Sequence, residues 1–185
     1  MALTTHRTTE ELDTHLSEVR ASPALAGEVQ LIVARPDTGE RVALDDCQLD
    51  TAIGLVGDNW FVRGNTSTPD GSADPLAQLT LMNTRAAIAV AGDRARWALA
   101  GDQLFVDFDI STDNLPAGTR VRVGTAVVEI SVKPHNGCAK FTQRFGIDAM
   151  RWVNSPDGKQ LRLRGVNCRV VEAGVVALGD TVTKL

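Results

Sequence analysis

The stretch QLFVDFDISTDNLPAGTRVRVGTAVVEISVKP, residues 103–134, determines the fold class that this sequence predicts. At its start, Leu104, Val106, Phe108 and Ile110 fall on alternate positions, which is the side-chain period of a β-strand. The turn residues LPAG follow, and then TRVRVG and TAVVEISVKP form two more strand patterns joined at Gly124. Short strands in succession predict a mainly β protein, either a barrel or a sandwich.

The flanking sequence adds further short strands and a few helices. Strand patterns continue in GEVQLIVARPDTGERVAL, QLTLMN and RLRGVNCRVVEAGVVALGDTVTKL, whereas TRAAIAVAG and DAMRWVNSPDGKQ are helix-like. Near the N-terminus, Thr8 and Glu11 form a capping box that predicts a helix. We therefore predict a helical extension over residues 1–25 and one β-rich domain over residues 26–185.

Composition limits the class of protein. The 185 residues are 43% hydrophobic and 23% charged, as expected for a single soluble globular domain. The chain has no apolar run long enough to span a bilayer and no apolar signal core at its N-terminus. Its three cysteines, Cys47, Cys138 and Cys168, are widely spaced, which favours reduced thiols and a cytoplasmic location over a disulfide framework.

Charge is distributed unevenly along the chain. Residues 133–169 hold eight basic and two acidic side chains, a net +6, whereas the rest of the chain carries a net −10. Such a segment indicates an anionic ligand or, alternatively, a solvated helix face. Phe141, Phe145 and Trp152 lie among these bases, as nucleic-acid stacking residues would. The acidic remainder and the pI near 5.3 argue against nucleic-acid binding.

The stretch KPHNGCAKFTQRFG, residues 133–146, contains the candidate reactive group. If a helix begins at its central glycine or cysteine, Cys138 lies in the first turn, where free amides lower the pKa of a thiol. Lys140, Arg144 and a protonated His135 would lower that pKa further. The alternative is that Cys138 is a small buried hydrophobic residue beside the two phenylalanines.

The C-terminal half resembles a MOSC domain, the module found at the C-terminus of molybdenum-cofactor sulfurases and as a stand-alone protein. The matching pieces, in order, are GDQLFVDFDIS, LPAGTRVRVGTAVVEIS, PHNGCAKFTQRFG and RLRGVNCRVVEAGVVALGD, within residues 101–182. The His-Gly-Gly stretch usual in the family is missing from this chain. The resemblance implies a MOSC-like β-barrel with a few short helices.

The resemblance also implies a cofactor and a set of site residues. It makes Cys138 the functional cysteine, either as a sulfur carrier or as a ligand of molybdenum. Arg144, Arg164 and Arg169 match arginine positions of the family, which implies that they bind the molybdenum cofactor (molybdopterin). We add His135, Lys140 and Asn167 as further candidate cofactor-binding residues. Guanidinium groups suit a phosphate-bearing cofactor because they hold phosphate through paired hydrogen bonds.

Two functions follow from this resemblance. In the first, Cys138 carries sulfur as a persulfide for metal–sulfur or molybdenum-cofactor assembly, without turnover of its own. In the alternative, the chain is a molybdenum-dependent oxidoreductase that reduces N-oxygenated substrates, with Cys138 as the metal ligand. None of the four lysines has the setting of a pyridoxal-phosphate Schiff base. A cysteine desulfurase or a redox protein is therefore the expected partner, and neither nucleic acid nor a membrane is expected.

Overall fold

The computed structural model describes residues 6–185, in which β-strands close into a barrel and short helices cover part of its outside. The strands are β1 (Ala26–Ala34), β2 (Val42–Leu44), β3 (Asp46–Asp50), β4 (Gly54–Leu55), β5 (Leu79–Asn83), β6 (Leu104–Asp107), β7 (Arg120–Val123), β8 (Ala126–Ile130), β9 (Val166–Glu172), β10 (Gly174–Ala177) and β11 (Thr181–Lys184). The helices are α1 (Thr9–Asp13), α2 (Leu16–Arg20), α3 (Trp60–Arg63), α4 (Thr84–Ala91), α5 (Ala139–Phe145), α6 (Ile147–Asn154) and α7 (Pro156–Gln160). Two 3₁₀ segments, Pro75–Ala77 and Arg94–Ala100, complete the regular structure described.

Seven strands form the barrel, in the order β1-β11-β7-β8-β9-β5-β6 and back to β1. A closed ring with an odd number of strands cannot alternate in direction all the way round. Accordingly β5 and β6 run parallel, and the other six pairs are antiparallel. Strand β2 extends the sheet from β1, while β3, β4 and β10 form a small second sheet. The predicted mainly β fold is confirmed, and it is a barrel.

Two hydrophobic clusters hold the barrel and its helices together. The inner cluster contains Leu104, Val106, Phe108 and Ile110, the alternating residues of the opening stretch. Phe105 points the other way and packs in the outer cluster, beneath the helices. The strand alternation therefore separates the barrel interior from the layer on which the helices lie.

The N-terminal helices pack on this outer layer. The capping box of Thr8 and Glu11 is present as predicted, although the helix divides into α1 and α2. Leu12 and Val19 are buried in the outer cluster. Residues 1–5 of the predicted extension lie outside the described residues, and the division of the chain at residue 25 stays a prediction.

The segment after β8 departs from the prediction in one respect. Strand β8 ends at Ile130 rather than continuing to Lys133, and residues 131–137 form an irregular loop that leads into α5. Helix α6 follows at the predicted position and ends before Pro156, as predicted, but Pro156 then opens a further helix, α7, that was not predicted. No helix within residues 6–185 combines the length and the apolar character that crossing a bilayer requires.

Candidate functional site

Cys138 is an exposed thiol at the start of helix α5. It is the N-cap residue, with extended backbone angles, and its side chain makes no capping hydrogen bond. Phe141 and Phe145 are buried on the same helix, so the thiol does not share their apolar face. The alternative of a buried structural cysteine at this position is therefore wrong.

The other two cysteines are buried in the barrel core. Burial raises the pKa of Cys47 to about 12, with a further contribution from Asp46, and it raises the pKa of Cys168 far above the ordinary thiol range. Both thiols stay protonated at neutral pH and are poor nucleophiles. Cys168 is therefore a structural residue of the core.

The loop that carries Cys138 is fixed by two asparagine side chains. Asn167, buried on β9, donates from Nδ2 to the carbonyls of Lys133 and Pro134, both at 3.2 Å. Asn154 makes a paired contact with the backbone of Gly137: it accepts from the amide at 2.9 Å and donates to the carbonyl at 3.1 Å. The loop is thus held at both ends, and Asn167 acts on the backbone of the loop.

A buried charge cluster lies next to this loop. The carboxylate of Asp102 is fully buried, and Oδ2 accepts from Arg164 Nη1 at 2.6 Å. The Arg164 guanidinium also lies 5.1 Å above the centre of the Phe141 ring. His135 Nδ1 is 3.5 Å from Asp102 Oδ1, and neither atom has a hydrogen-bond partner within the described chain. Gly165 allows this approach, because a Cβ there would lie 2.9 Å from Asp102 Oδ1.

The environment of His135 keeps its imidazole neutral. Burial lowers the pKa of His135 to about 3, and the positive charge of Arg164 adds to this effect while Asp102 opposes it. The sequence-based expectation of a protonated His135 that would activate the thiol is therefore wrong. Burial, which dominates the shift, cannot be read from the local sequence.

Three arginines converge on one short backbone segment. The consecutive carbonyls of residues 99–101 accept from Arg144 at 2.7 Å, Arg164 at 2.8 Å and Arg35 at 3.1 Å, in that order. The three side chains come from α5, from the turn before β9 and from the end of β1. These hydrogen bonds attach α5, the helix that follows Cys138, to the barrel wall.

A basic cavity of about 300 Å³ opens beside α5, and we call it the arginine cavity. Its charged lining residues are Arg35, Arg41, Arg63, Lys140, Arg144 and Asp37. Arg35 is paired with the buried carboxylate of Asp58, Nε to Oδ2 at 2.8 Å. The pKa of Arg41 is lowered by burial and by the charges of Arg144 and Arg35, and its Nε atom is buried with no partner among the described residues. The cavity therefore holds an excess of positive charge at close range.

The residues proposed from sequence fall into separate places. Lys140 and Arg144 line the arginine cavity. His135 and Arg164 belong to the buried cluster, where Asp102 and the carbonyl of Ala100 occupy the Arg164 guanidinium. Asn167 holds the loop as described above. Arg169 is exposed and forms an ion pair with Glu129 on β8, at 2.7 Å.

Sequence reasoning missed three lining residues of the arginine cavity, Arg35, Arg41 and Arg63. They lie 70 to 98 residues before the start of the basic segment at residue 133, and only the barrel closure brings them to α5. One signal was present: Arg35 and Arg41 flank the PDTG turn, which places them at adjacent strand ends.

Within residues 6–185, no group of three or more His, Cys, Asp or Glu side chains is arranged to hold a metal ion.

Comparison with solved structures supports the fold. A protein described as a hypothetical protein matches 90% of this chain and 70% of its own, with 20% identity and a TM-score of 0.58. YuaD from Bacillus subtilis matches 85% of this chain and 94% of its own, with 14% identity and a TM-score of 0.55. YiiM from Geobacillus stearothermophilus matches 86% and 75%, with 15% identity and a TM-score of 0.57.

Comparison of the sequence identifies the family. No curated protein matches the chain. The sequence model of the MOSC domain, in contrast, matches residues 72–183, which is more than half of the chain and includes Cys138, its loop and the strands on either side. The chain therefore belongs to the MOSC domain family.

Proposed function

We propose that this protein binds the molybdenum cofactor through its phosphate in the arginine cavity, and that Cys138 carries sulfur as a persulfide. The observation that carries the proposal is that the arginine cavity is lined by residues of α5, the helix that the exposed Cys138 caps. Lys140 and Arg144 line the cavity from the same helix that Cys138 caps. A MOSC domain is generally linked to this cofactor and to sulfur, which agrees with that arrangement.

The residues present fit an anionic group. Among residues 6–185, five basic side chains and one carboxylate, Asp37, line the cavity, and Asp58 compensates Arg35 from outside the lining. Repulsion among the guanidiniums is relieved when a phosphate enters, and planar guanidiniums bind phosphate through two parallel hydrogen bonds. The unpartnered Nε of Arg41 is one donor available for such a ligand.

Gly101 lies beside two of the cationic groups of the cavity. A Cβ at Gly101 would lie 3.6 Å from Arg41 Nη2 and 3.9 Å from Arg144 Nη1. Its φ of +95° also favours glycine over residues with a side chain. Arg164 is already bound to Asp102, so we propose that it supports the cavity through the segment 99–101 and does not contact the phosphate itself.

The sulfur step needs a thiolate and a donor. The Cys138 thiolate attacks the outer sulfur of a donor persulfide, a new S–S bond forms at Cys138, and the donor cysteine leaves as its thiolate. This exchange is balanced without an added oxidant or reductant. The donor would be a cysteine desulfurase, and the exposure of Cys138 allows its approach.

The alternative role for the same thiol is that of a molybdenum ligand in an oxidoreductase. The exposed thiol of Cys138, which makes no capping hydrogen bond at the start of the helix that lines the arginine cavity, favours this role as well, because thiolate is a soft ligand. When bound, the cofactor would supply two-electron redox chemistry, and a separate protein would supply the electrons. Arg41, Arg63 and Lys140 would then orient the cofactor by its phosphate.

The experiment compares wild type with Arg63→Gln, Cys138→Ser and the control Arg20→Gln, all purified from a molybdenum-replete host. Elemental analysis measures molybdenum, and mass spectrometry detects an extra sulfur atom on Cys138. We expect cofactor in wild type and Arg20→Gln, and at least about tenfold less in Arg63→Gln. Sulfur on Cys138 without turnover supports the carrier, whereas bound molybdenum with reduction of an N-oxygenated substrate supports the oxidoreductase.

Two results would contradict the proposal. If wild type contains neither molybdenum nor sulfane sulfur after incubation with a desulfurase and cysteine, both roles of Cys138 fail. If Arg63→Gln retains as much cofactor as Arg20→Gln, the phosphate does not bind in the arginine cavity.

A further inference from the structure

We propose that a second cavity, formed by the loop 131–136 and the turn that precedes β9, is a binding site for a small organic carboxylate. This cavity has a volume of about 320 Å³, and we call it the loop cavity. It shares no lining residue with the arginine cavity. Its size is that of a small-molecule site.

The charge of the loop cavity selects an anion. Its lining contains three basic side chains, Lys133, Lys159 and Arg162, and no Asp or Glu. The ammonium of Lys133 is neutralised by Asp74. Lys159 and Arg162 have no carboxylate within ion-pair distance among residues 6–185. Two positive charges are thus left for a ligand to balance.

Arg162 is held in place by the backbone. Its guanidinium donates to the carbonyls of Ile110 at 3.1 Å and Leu115 at 2.6 Å. The residue has a φ of +50°, which is uncommon for a residue with a side chain. Partial burial lowers the pKa of Arg162 from its ordinary value, but an arginine stays protonated at neutral pH, and its carbonyl acceptors are neutral and leave its charge uncompensated. It therefore serves as a fixed cationic group at the cavity wall.

The remaining wall suits the short apolar body of such a ligand. Val132, Val153 and Val166 line the cavity together with Pro134. His135 also lines it, and its neutral imidazole adds no charge. A carboxylate with a short carbon chain would contact both the basic side chains and the apolar residues of the lining, whereas a bare inorganic ion would leave the valines in contact with water.

The cavity is formed before any ligand binds. Asn167 fixes the carbonyls of Lys133 and Pro134, and the hydroxyl of Ser131 accepts from the amide of Lys133 at 3.0 Å. A wall that is already ordered reduces the entropy lost on binding. Asn136, at the end of this wall, lies two residues before Cys138. The lining of the loop cavity therefore ends two residues in sequence from the thiol.

The test uses propionate as the probe and propionamide as its uncharged counterpart, in a carboxylate-free buffer of low ionic strength. Isothermal titration calorimetry on the full chain should show millimolar binding of propionate and at least about tenfold weaker binding of propionamide. Lys159→Gln should weaken propionate binding about fivefold. Val132→Asp, at a residue that is 74% exposed, should abolish it by placing a negative charge at the cavity.

Lys140→Gln is the matched control, because it removes one charge from the arginine cavity and none from the loop cavity. It should leave propionate binding unchanged. The proposal is overturned if wild type does not bind propionate, if propionamide binds equally well, or if Lys159→Gln binds as wild type does. Equal weakening by Lys140→Gln and Lys159→Gln would also overturn it, because the probe would then occupy the arginine cavity. None of these outcomes bears on cofactor binding, which Arg63→Gln tests separately.

Discussion

Replacing His135 by glutamine should remove much of the acid sensitivity of this fold. Folding lowers the pKa of His135 from 6.5 to about 3, chiefly through burial. Between these two values the unfolded chain binds a proton at this residue and the folded chain does not. The free energy of unfolding therefore rises with pH in this window by about 1.4 kcal/mol per unit. The stabilisation is complete above pH 6.5 and is lost as the pH falls towards 3.

The size of the effect can be worked out for an accessible range. From pH 6.5 to 4.5, the His135 contribution should fall by about 2 kcal/mol, because at pH 6.5 half of the unfolded chains already carry the proton. Other groups titrate in the same range, but they do so in both proteins, so the difference between wild type and His135→Gln isolates this residue. That difference should be constant above pH 7 and should shift in favour of the variant as the pH falls.

Urea denaturation at pH 7.5, 6.5, 5.5 and 4.5, followed by circular dichroism, measures the free energy of unfolding of each protein. His6→Gln, at an exposed histidine, is the matched control and should follow wild type at every pH. If His135→Gln loses stability between pH 6.5 and 4.5 as steeply as wild type, the imidazole is protonated in the folded protein. The account of the buried cluster would then be incorrect.

Two further substitutions test the packing of the same region by urea denaturation at pH 7.5. Asp102→Ala should lower the free energy of unfolding by about 3–5 kcal/mol, because it leaves the Arg164 guanidinium buried without its carboxylate. The control Asp157→Ala, at the surface, should lower it by less than about 1 kcal/mol. Similar losses in the two variants would mean that Asp102 is not a buried partner of Arg164. Gly165→Ala should cost more than Gly39→Ala by at least about 2 kcal/mol, since both have positive φ but only the Cβ at residue 165 meets other atoms, at 2.6 Å. Equal losses would show that the close approach at Gly165 does not affect the free energy of unfolding.

The sequence predicted those features that depend on neighbours along the chain. Strand alternation at residues 104–110 identified the inner and outer faces of the barrel wall. Turn residues and the Thr8 capping box marked element ends because their hydrogen bonds are local. The helix after Cys138 and its buried phenylalanines were likewise available from periodicity.

The sequence could not predict those features that depend on barrel closure. Asp102 determines the environment of His135 and Arg164, but it lies thirty or more residues away from both in sequence. Arg41 and Arg63 reach the arginine cavity from the loop before β2 and from α3, both in the other half of the chain. The charge state of His135 follows from burial, which is a property of the assembled fold.

The single parallel pair of the barrel has a consequence for engineering. Strands β5 and β6 can be joined only by a connection that returns along the barrel, and this connection contains α4 and the segment whose carbonyls hold the three arginines. The same twenty residues therefore make the connection that the parallel pair requires and support the ligand site. Insertions or circular permutation in the exposed loop 69–72, which lines neither the arginine cavity nor the loop cavity, would leave that connection intact. New termini placed between β5 and β6 would instead separate the carbonyls that hold the arginines from the barrel wall that positions them.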